Sequence, residues 1–195
     1  MTRATPNKKL LYCALSLIAC ALFCQSPGQV MAQRQATSDK PWQELVSAEG
    51  HFRVMLPDMP SESFIPITGQ IFKEDVRVYS VKTSVALYGV VYGELPEEAK
   101  DRETLRAAFD FGRDRALSQG KLRLISEKDI TTAGIPAREY VMDDGAFMVK
   151  YRVYFSKGRL YQILFVSPTV DGTPALSRYY SGLAAKFFSS FRFVS

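Results

Sequence analysis

The chain contains 195 residues, and 25 lysines and arginines against 20 aspartates and glutamates give it a formal net charge of +5. After residue 32 no lysine/arginine block exceeds two residues, so the clustered basic surface of a nucleic-acid-binding domain is not expected. A single histidine and three cysteines near the N-terminus argue against a zinc site, which needs several such ligands.

Residues 1–32 have the composition of a secretory signal peptide. Arg3, Lys8 and Lys9 precede an apolar run over 10–24, and no acidic residue occurs before position 39. The run is shorter than the ~20 residues that a membrane-spanning helix needs, so no transmembrane span is expected after cleavage. The sequence therefore predicts an exported protein of the bacterial periplasm or the extracellular space.

Two processing sites compete within this signal. The segment 30–32 (VMA) is an A-x-A-like site, and cleavage there releases a soluble protein that begins at Gln33. The segment 17–20 (LIAC) is similar to a bacterial lipobox, in which Cys20 would be lipidated and would anchor the protein to a membrane. The apolar residues that follow Cys20 favour the first site, and the second remains an alternative.

Cleavage after residue 32 changes both the cysteine count and the charge. All three cysteines lie in the signal, so the exported protein would fold without disulfides and depend on core packing. Residues 1–32 hold three of the basic residues and none of the acidic ones, which leaves a net charge of +2. The basic character of the whole chain is then no indication of an acidic partner.

The polar segment 33–40 lacks periodicity and predicts a flexible lead to a single domain over 41–195. Strand patterns dominate up to residue 95, with an opening hairpin around the turn at 48–50. The strands predicted in this half are 42–47, 51–56, 63–72, 76–83 and 86–95.

A helix is predicted to begin near Asp101 and to end at Gly120, because apolar residues recur at helical spacing between them. Four strands are expected to follow, at 121–131, 136–143, 147–156 and 159–167. A second helix is predicted with Thr173 as its N-cap and Pro174 in its first turn. Its buried stripe comprises Leu176, Tyr180, Leu183 and Phe187.

The order strands, helix, strands, helix indicates an α+β fold, in which helices cover an antiparallel sheet. Three segments resemble a known family: 49–57 (EGHFRVMLP) after Trp42, 151–163, and the closing 188–191 (FSSF). The arrangement is similar to the PsbP-like α/β/α sandwich, found in an extrinsic photosystem II subunit and in non-photosynthetic bacterial relatives. The resemblance implies an antiparallel β-sheet flanked by helices and a non-catalytic accessory role. It transfers no metal or chloride site to this chain.

No catalytic set is recognisable in the sequence, and no cofactor is expected. His51 stands at a strand start without a nucleophile motif beside it. The acidic pairs 74–75, 97–98 and 143–144 lack the alternate spacing of a calcium loop. The third pair precedes Gly145 and predicts a hairpin turn.

The strand over 147–156 offers the one candidate partner surface. One face (Phe147, Val149, Tyr151, Val153, Phe155) predicts core, and the other is a basic-aromatic strip of Met148, Lys150, Arg152 and Tyr154. Tyrosine and arginine suit interfaces, although an ordinary solvated or helix-covered sheet face is the favoured interpretation of this strip.

These patterns favour a non-catalytic accessory domain, not an enzyme, that acts in the periplasm or cell envelope through an unknown protein partner. Two alternatives remain open. One is a small-ligand binding module with a pocket between sheet and helix. The other is a lipoprotein anchored through Cys20.

Overall fold

The computed structural model describes residues 41–66, 72–97, 122–170 and 172–194, together with single positions between 101 and 117. The predicted signal peptide, the lipidation site at Cys20 and the flexible lead over 33–40 lie outside these residues. The predicted end of the first helix, at Gly120, also lies outside them.

The described residues form two antiparallel sheets. The strands are β1 Gln43–Ser47, β2 Phe52–Leu56, β3 Ser61–Ile65, β4 Val76–Lys82, β5 Leu87–Glu94, β6 Arg123–Thr132, β7 Ile135–Asp143, β8 Phe147–Ser156, β9 Arg159–Pro168 and β10 Arg192–Phe193. One sheet has three strands in the order β1-β2-β10, and the other has seven in the order β3-β4-β5-β9-β8-β7-β6.

Two-residue turns set the register of two long hairpins. Ala133 and Gly134 both have positive φ (50° and 79°), and Lys157 and Gly158 repeat this pattern with 50° and 78°. Two consecutive left-handed residues form the turn whose twist matches that of the flanking strands. The predicted hairpins β6–β7 and β8–β9 are therefore confirmed, with β8 at its predicted bounds.

The predicted strand over 63–72 is wrong in its extent. The observed β3 is Ser61–Ile65, and it ends directly before Pro66, which has no N–H to donate to a ladder. Phe72 lies outside any strand but is buried in the core. Its ring fills the space beside Gly93, where an added Cβ would lie 2.6 Å from Phe72 Cδ1.

The C-terminal helix, Pro174–Ser190, has Pro174 in its first turn as predicted. Thr173 occupies the N-cap position, but its side chain forms no capping hydrogen bond. The Thr173 carbonyl accepts the first hydrogen bond of the helix, from the Ser177 N–H at 3.1 Å. The helix buries Ala184, Phe187 and Phe188 against the seven-stranded sheet.

The seven-stranded sheet carries a core on each face. One core, which includes Phe52, Phe187 and Phe191, lies beneath the three-stranded sheet and the C-terminal helix. The opposite core includes partly buried Phe109 and Leu117, which occupy helical positions. The described residues are mainly antiparallel β with the C-terminal helix on one face. The predicted antiparallel sheet is therefore confirmed, and the described residues are mainly β where a helix-flanked sheet was expected.

Candidate functional site

The basic-aromatic strip predicted on β8 is not an open surface. Tyr154 is 0% exposed, and its ring packs on Phe191 and Phe193 with centroids 5.5 and 5.7 Å away. The Tyr154 hydroxyl lies 3.3 Å from the Thr132 hydroxyl. Tyr154 is therefore a core residue, because β10 and the end of the C-terminal helix cover this face of β8.

Arg152 belongs to a partly buried ionic cluster beneath the helix. Its Nε donates to Glu139 at 2.7 Å, and its guanidinium lies 4.6 Å from the centroid of the Phe188 ring. Lys128 reaches the same carboxylate at 3.0 Å from an exposed position. Burial alone would raise the pKa of Glu139, but the hydrogen bonds from Arg152 and Lys128 outweigh it and lower that pKa. These contacts give Arg152 a structural role.

Lys150 lines a small cavity between the sheet and the C-terminal helix, where the sequence places a ligand pocket. The volume is about 230 Å³, less than the ~300 Å³ at which ligand sites for drug-sized molecules begin. Its walls are mostly apolar, with hydroxyl groups from the helix. The lining residues are Val141, Met148, Lys150, Phe165, Ser167, Pro168, Val170, Ser177, Tyr180, Ser181 and Ala184.

A larger concavity of about 430 Å³ lies at the end of the sheet that carries β3, and we call it the Arg77 pocket. Its lining residues are Glu49, Phe64, Glu74, Asp75, Arg77, Tyr92 and Gly93. Three of them form one row across neighbouring strands, since Phe64 pairs with Arg77 and Arg77 pairs with Tyr92. Of this set, the sequence pointed to the acidic pair 74–75 alone as a possible metal or acid–base site.

The Arg77 guanidinium is held on several sides. It donates to Glu62 at 2.9 Å and to Glu49 at 2.8 Å. It also lies 4.9 Å from the centroid of the Phe64 ring. Two carboxylates thus engage the positive charge of Arg77.

Tyr92 continues this row and is the most unusual polar group of the pocket. Its residue is 6% exposed, and its buried hydroxyl oxygen has no hydrogen-bond partner among the residues that the structure describes. Burial raises the pKa of Tyr92, while the nearby Ser47 hydroxyl and Arg77 oppose that rise without forming a well-aligned hydrogen bond. Such orphaned buried groups are rare in folded proteins and call for an explanation.

The stacked neighbour Tyr161 shows the usual arrangement by contrast. Its ring centroid lies 5.9 Å from that of Tyr92, and its hydroxyl donates to the Gly50 carbonyl at 3.0 Å. Arg159 holds the adjacent Glu49 carbonyl at 2.8 Å, and Ser47 accepts from the Gly50 N–H at 3.0 Å. The turn that forms one wall of the Arg77 pocket is therefore well anchored.

The edge strand β3 borders the Arg77 pocket and carries exposed apolar side chains. Phe64 is 53% exposed on β3, and Met59 is 70% exposed in the segment before it. Ile125, at 51%, is the comparable residue on β6, the other edge of the same sheet. Exposed edge strands present unpaired backbone groups to other chains.

The other sequence candidates serve structural roles. His51 lies in the turn before β2 with φ of 50°, and its carbonyl accepts from the Val194 N–H. Asp143 accepts from the Gly145 N–H at 2.9 Å, and Asp144 accepts from the Phe147 N–H at 2.6 Å, as expected of a hairpin turn.

Two further kinds of feature are absent from the part of the chain that the structure describes. Within it, no group of three or more His, Cys, Asp or Glu side chains is placed to hold a metal ion. Within the same residues, no helix combines the length and the apolar character that crossing a membrane requires.

Comparison with known proteins identifies the fold. No family model matches the chain, and no curated protein matches it significantly. The solution structure of cyanobacterial PsbP (CyanoP) from Synechocystis sp. PCC 6803 is similar with a TM-score of 0.52 and 16% identity, covering 84% of this chain and 98% of that one. The fold is therefore PsbP-like, as the resemblance implied.

Two other solved structures show weaker similarity. A Pseudomonas aeruginosa protein of unknown function has a TM-score of 0.40 and 12% identity, covering 73% of this chain and 90% of that one. A mutant form of the protein Mog1 has a TM-score of 0.46 and 11% identity, covering 80% of this chain and 97% of that one.

Proposed function

We propose, starting from the PsbP-like fold, that this chain is a non-catalytic accessory domain that binds a protein partner in the bacterial cell envelope. The similar structure from Synechocystis is a PsbP protein, a family that the sequence resemblance associates with an extrinsic accessory role. The fold alone does not identify a partner, so the proposal rests on the surface of this molecule.

The observation that carries the proposal is the exposed edge of the seven-stranded sheet at β3. The burial pattern of Ser61–Ile65 leaves its first four residues exposed, and Phe64 and Met59 add apolar area beside the Arg77 pocket. A partner strand can add to such an edge through backbone hydrogen bonds, with side chains in adjacent pockets providing specificity. This combination suits a protein partner better than a small free ligand.

A second candidate function is supported by the cavity that Lys150 lines. Its position between sheet and helix and its mixed apolar and hydroxyl lining would suit a small ligand with an anionic group. Its volume of about 230 Å³ restricts it to a ligand smaller than most cofactors.

A second helical layer on the seven-stranded sheet is also proposed. Phe109 and Leu117 pack against the core on the sheet face opposite the C-terminal helix, and both occupy helical positions. We infer that the predicted first helix covers this face and completes an α/β/α sandwich.

We expect the chain to be exported and cleaved between Ala32 and Gln33. Expressed in a bacterial host, the full chain is expected in the periplasmic fraction, with an intact mass that corresponds to an N-terminus at Gln33. Cys20→Ser should then leave both mass and location unchanged. A lipid-modified N-terminal Cys20 in membranes would contradict cleavage after Ala32 and establish the lipoprotein alternative.

Partner binding is tested by substitution at the β3 edge. Phe64→Ser should reduce capture of the partner from envelope extracts by roughly tenfold, as expected of an apolar residue central to an interface. Ile125→Ser is the matched control, because it removes a similarly exposed apolar side chain from the opposite edge. Equal capture by the two variants would sink the proposal that β3 is the interface.

A further inference from the structure

We propose that the cavity between the seven-stranded sheet and the C-terminal helix, which we call the Lys150 cavity, binds the carboxylate end of a small apolar molecule. The inference rests on the second candidate function, since it names the chemistry of the ligand that this cavity would take. It does not depend on the β3 edge, because β4 and β5 separate β3 from the nearest strand that lines the cavity.

The walls of the Lys150 cavity come from the sheet and the helix together. Three neighbouring strands contribute one wall, because Lys150 of β8 pairs with Val141 of β7 on one side and with Phe165 of β9 on the other. The helix contributes four residues between Ser177 and Ala184, at positions i, i+3, i+4 and i+7, which share one helix face. The register of the sheet and the packing of the helix on it therefore fix the cavity.

Ser167 places a buried hydroxyl without a partner at the wall of this cavity. The residue is 4% exposed, lines the cavity and pairs with Met148, which also lines it. Its side chain lies on the same face of β9 as Phe165, in the core beneath the helix. The hydroxyl forms no hydrogen bond with any residue that the structure describes. Unlike the Tyr92 hydroxyl, it keeps some accessible surface, so a ligand in the cavity can reach it.

Lys150 gives the cavity its charge. Among the described residues of the lining it is the only charged side chain, it is partly buried, and it forms no salt bridge with a described carboxylate. Its electrostatic effect on Glu139 acts at longer range, and Arg152 already holds that carboxylate at 2.7 Å. Asp143, on the same face of β7, is likewise engaged by Arg123 at 2.9 Å. An amine in a cavity whose described lining has no carboxylate favours an anion.

The rest of the lining determines the kind of anion. Lys150 supplies one positive charge, and most of the other walls are apolar. A dianion such as phosphate would keep an uncompensated charge in these surroundings, which is costly. A monocarboxylate needs only one ammonium group and a few hydroxyl donors, and Lys150 and Ser167 supply them.

The volume limits the size of the apolar part. About 230 Å³ is available, and a cavity of ~150 Å³ is enough to hold benzene. A ring or chain of about six carbons therefore fits together with its carboxylate. Such a group ends both a free organic acid and a protein chain with an apolar last residue. Ser177 and Ser181 line the cavity from exposed positions on the helix, and they border its opening.

The experiment is a calorimetric titration of the purified protein with matched probes. Hexanoate and phenylacetate supply the carboxylate, and hexanamide and phenylacetamide are neutral molecules of the same shape. Each acid is expected to bind at least roughly tenfold more tightly than its amide, because it accepts charge-assisted hydrogen bonds. Inorganic phosphate should bind more weakly than either acid. Nα-acetyl-leucine represents a chain end, and tighter binding of this probe than of hexanoate would identify a partner's C-terminus as the source of the carboxylate.

Variants locate the binding within the cavity. Lys150→Met should weaken hexanoate by roughly tenfold and leave hexanamide unchanged. Lys82→Met is the matched control, since it makes the same substitution at an exposed lysine on β4 and should bind like the parent protein. Ser167→Ala should weaken hexanoate by roughly fivefold, the loss of one hydrogen bond. Its thermal midpoint should stay unchanged or rise, because the hydroxyl has no partner among the described residues.

The inference is wrong if acids and amides bind equally, if phosphate binds most tightly, or if Lys150→Met binds hexanoate like the parent protein. Equal binding of acids and amides would leave the cavity as a ligand site and remove only the carboxylate chemistry. If none of the probes binds, the second candidate function fails as well. Neither result affects the β3 interface, which the Phe64→Ser capture experiment tests separately.

Discussion

Phe191→Ala is expected to lower the free energy of unfolding by about 4 kcal/mol, the range found when a fully buried phenylalanine is truncated. Phe191 is 0% exposed and follows the C-terminal helix directly. Its ring stacks on Phe52 of the three-stranded sheet at 5.5 Å and contacts Tyr154 and Tyr161 of the seven-stranded sheet. A cavity here would separate the elements that the ring joins.

Chemical denaturation of the parent and variant proteins measures this effect. The slope with denaturant should stay the same while the midpoint falls, because the surface exposed on unfolding changes little. Phe64→Ala is the control, since it removes the same ring from an exposed site and should cost no more than about 1 kcal/mol, including its contact with Arg77. A loss at Phe191 no greater than that at Phe64 would contradict the packing described for the two sheets.

Arg152→Met is expected to destabilise the protein by about 3 kcal/mol at neutral pH, because removal of the closer partner leaves a buried charge only partly compensated. The carboxylate of Glu139 is 3% exposed, and Lys128 alone would then neutralise it from a solvated position. Methionine preserves the apolar contact with Phe188. The double variant Glu139→Leu/Arg152→Met should recover most of the loss, since an apolar pair can replace a buried ion pair at little cost.

The pH dependence of this variant separates charge from packing. In the parent protein the pKa of Glu139 is lowered, so its contribution is present above the ordinary carboxyl pKa and is lost as pH falls through the lowered value. Without the hydrogen bond from Arg152, burial is opposed chiefly by Lys128, so the pKa of Glu139 is higher than in the parent and protonation relieves part of the penalty. The difference between parent and variant should therefore shrink from pH 7 to pH 4. A difference independent of pH would indicate a packing defect instead.

The sequence was sufficient to predict most of the strands, because their signals are local. The alternation in 147–156 and the turn at Lys157-Gly158 identify β8 and its hairpin without reference to the rest of the molecule. The PsbP-like fold followed from similar local markers at strand ends and from the closing aromatic residues. The extent of β3 was missed because Phe72 suits a strand by composition, although Pro66 ends the ladder before it.

The surfaces could not be predicted, because they depend on contacts between distant parts of the chain. Alternation placed Lys150, Arg152 and Tyr154 on one face of β8, but it does not show whether a second layer covers that face. Phe188 covers this face at Arg152, and Phe191 and Phe193 cover it at Tyr154.

The Arg77 pocket escaped prediction for a similar reason. Phe64, Arg77 and Tyr92 meet only through the registers of β3, β4 and β5. The acidic pair at 74–75 was a weak local signal, since such pairs are common in turns. Nor does the sequence show that the Tyr92 hydroxyl lacks a partner, which becomes visible only once its neighbours are placed.

Site-specific photo-crosslinking in cells tests the β3 interface most directly. A photoreactive phenylalanine analogue placed at Phe64 should give a discrete crosslinked product with an envelope protein. The same analogue at Ile125, equally exposed on the opposite edge, should give none. Crosslinks from position 125 and none from position 64 would contradict the assignment of the binding surface to β3 and the Arg77 pocket.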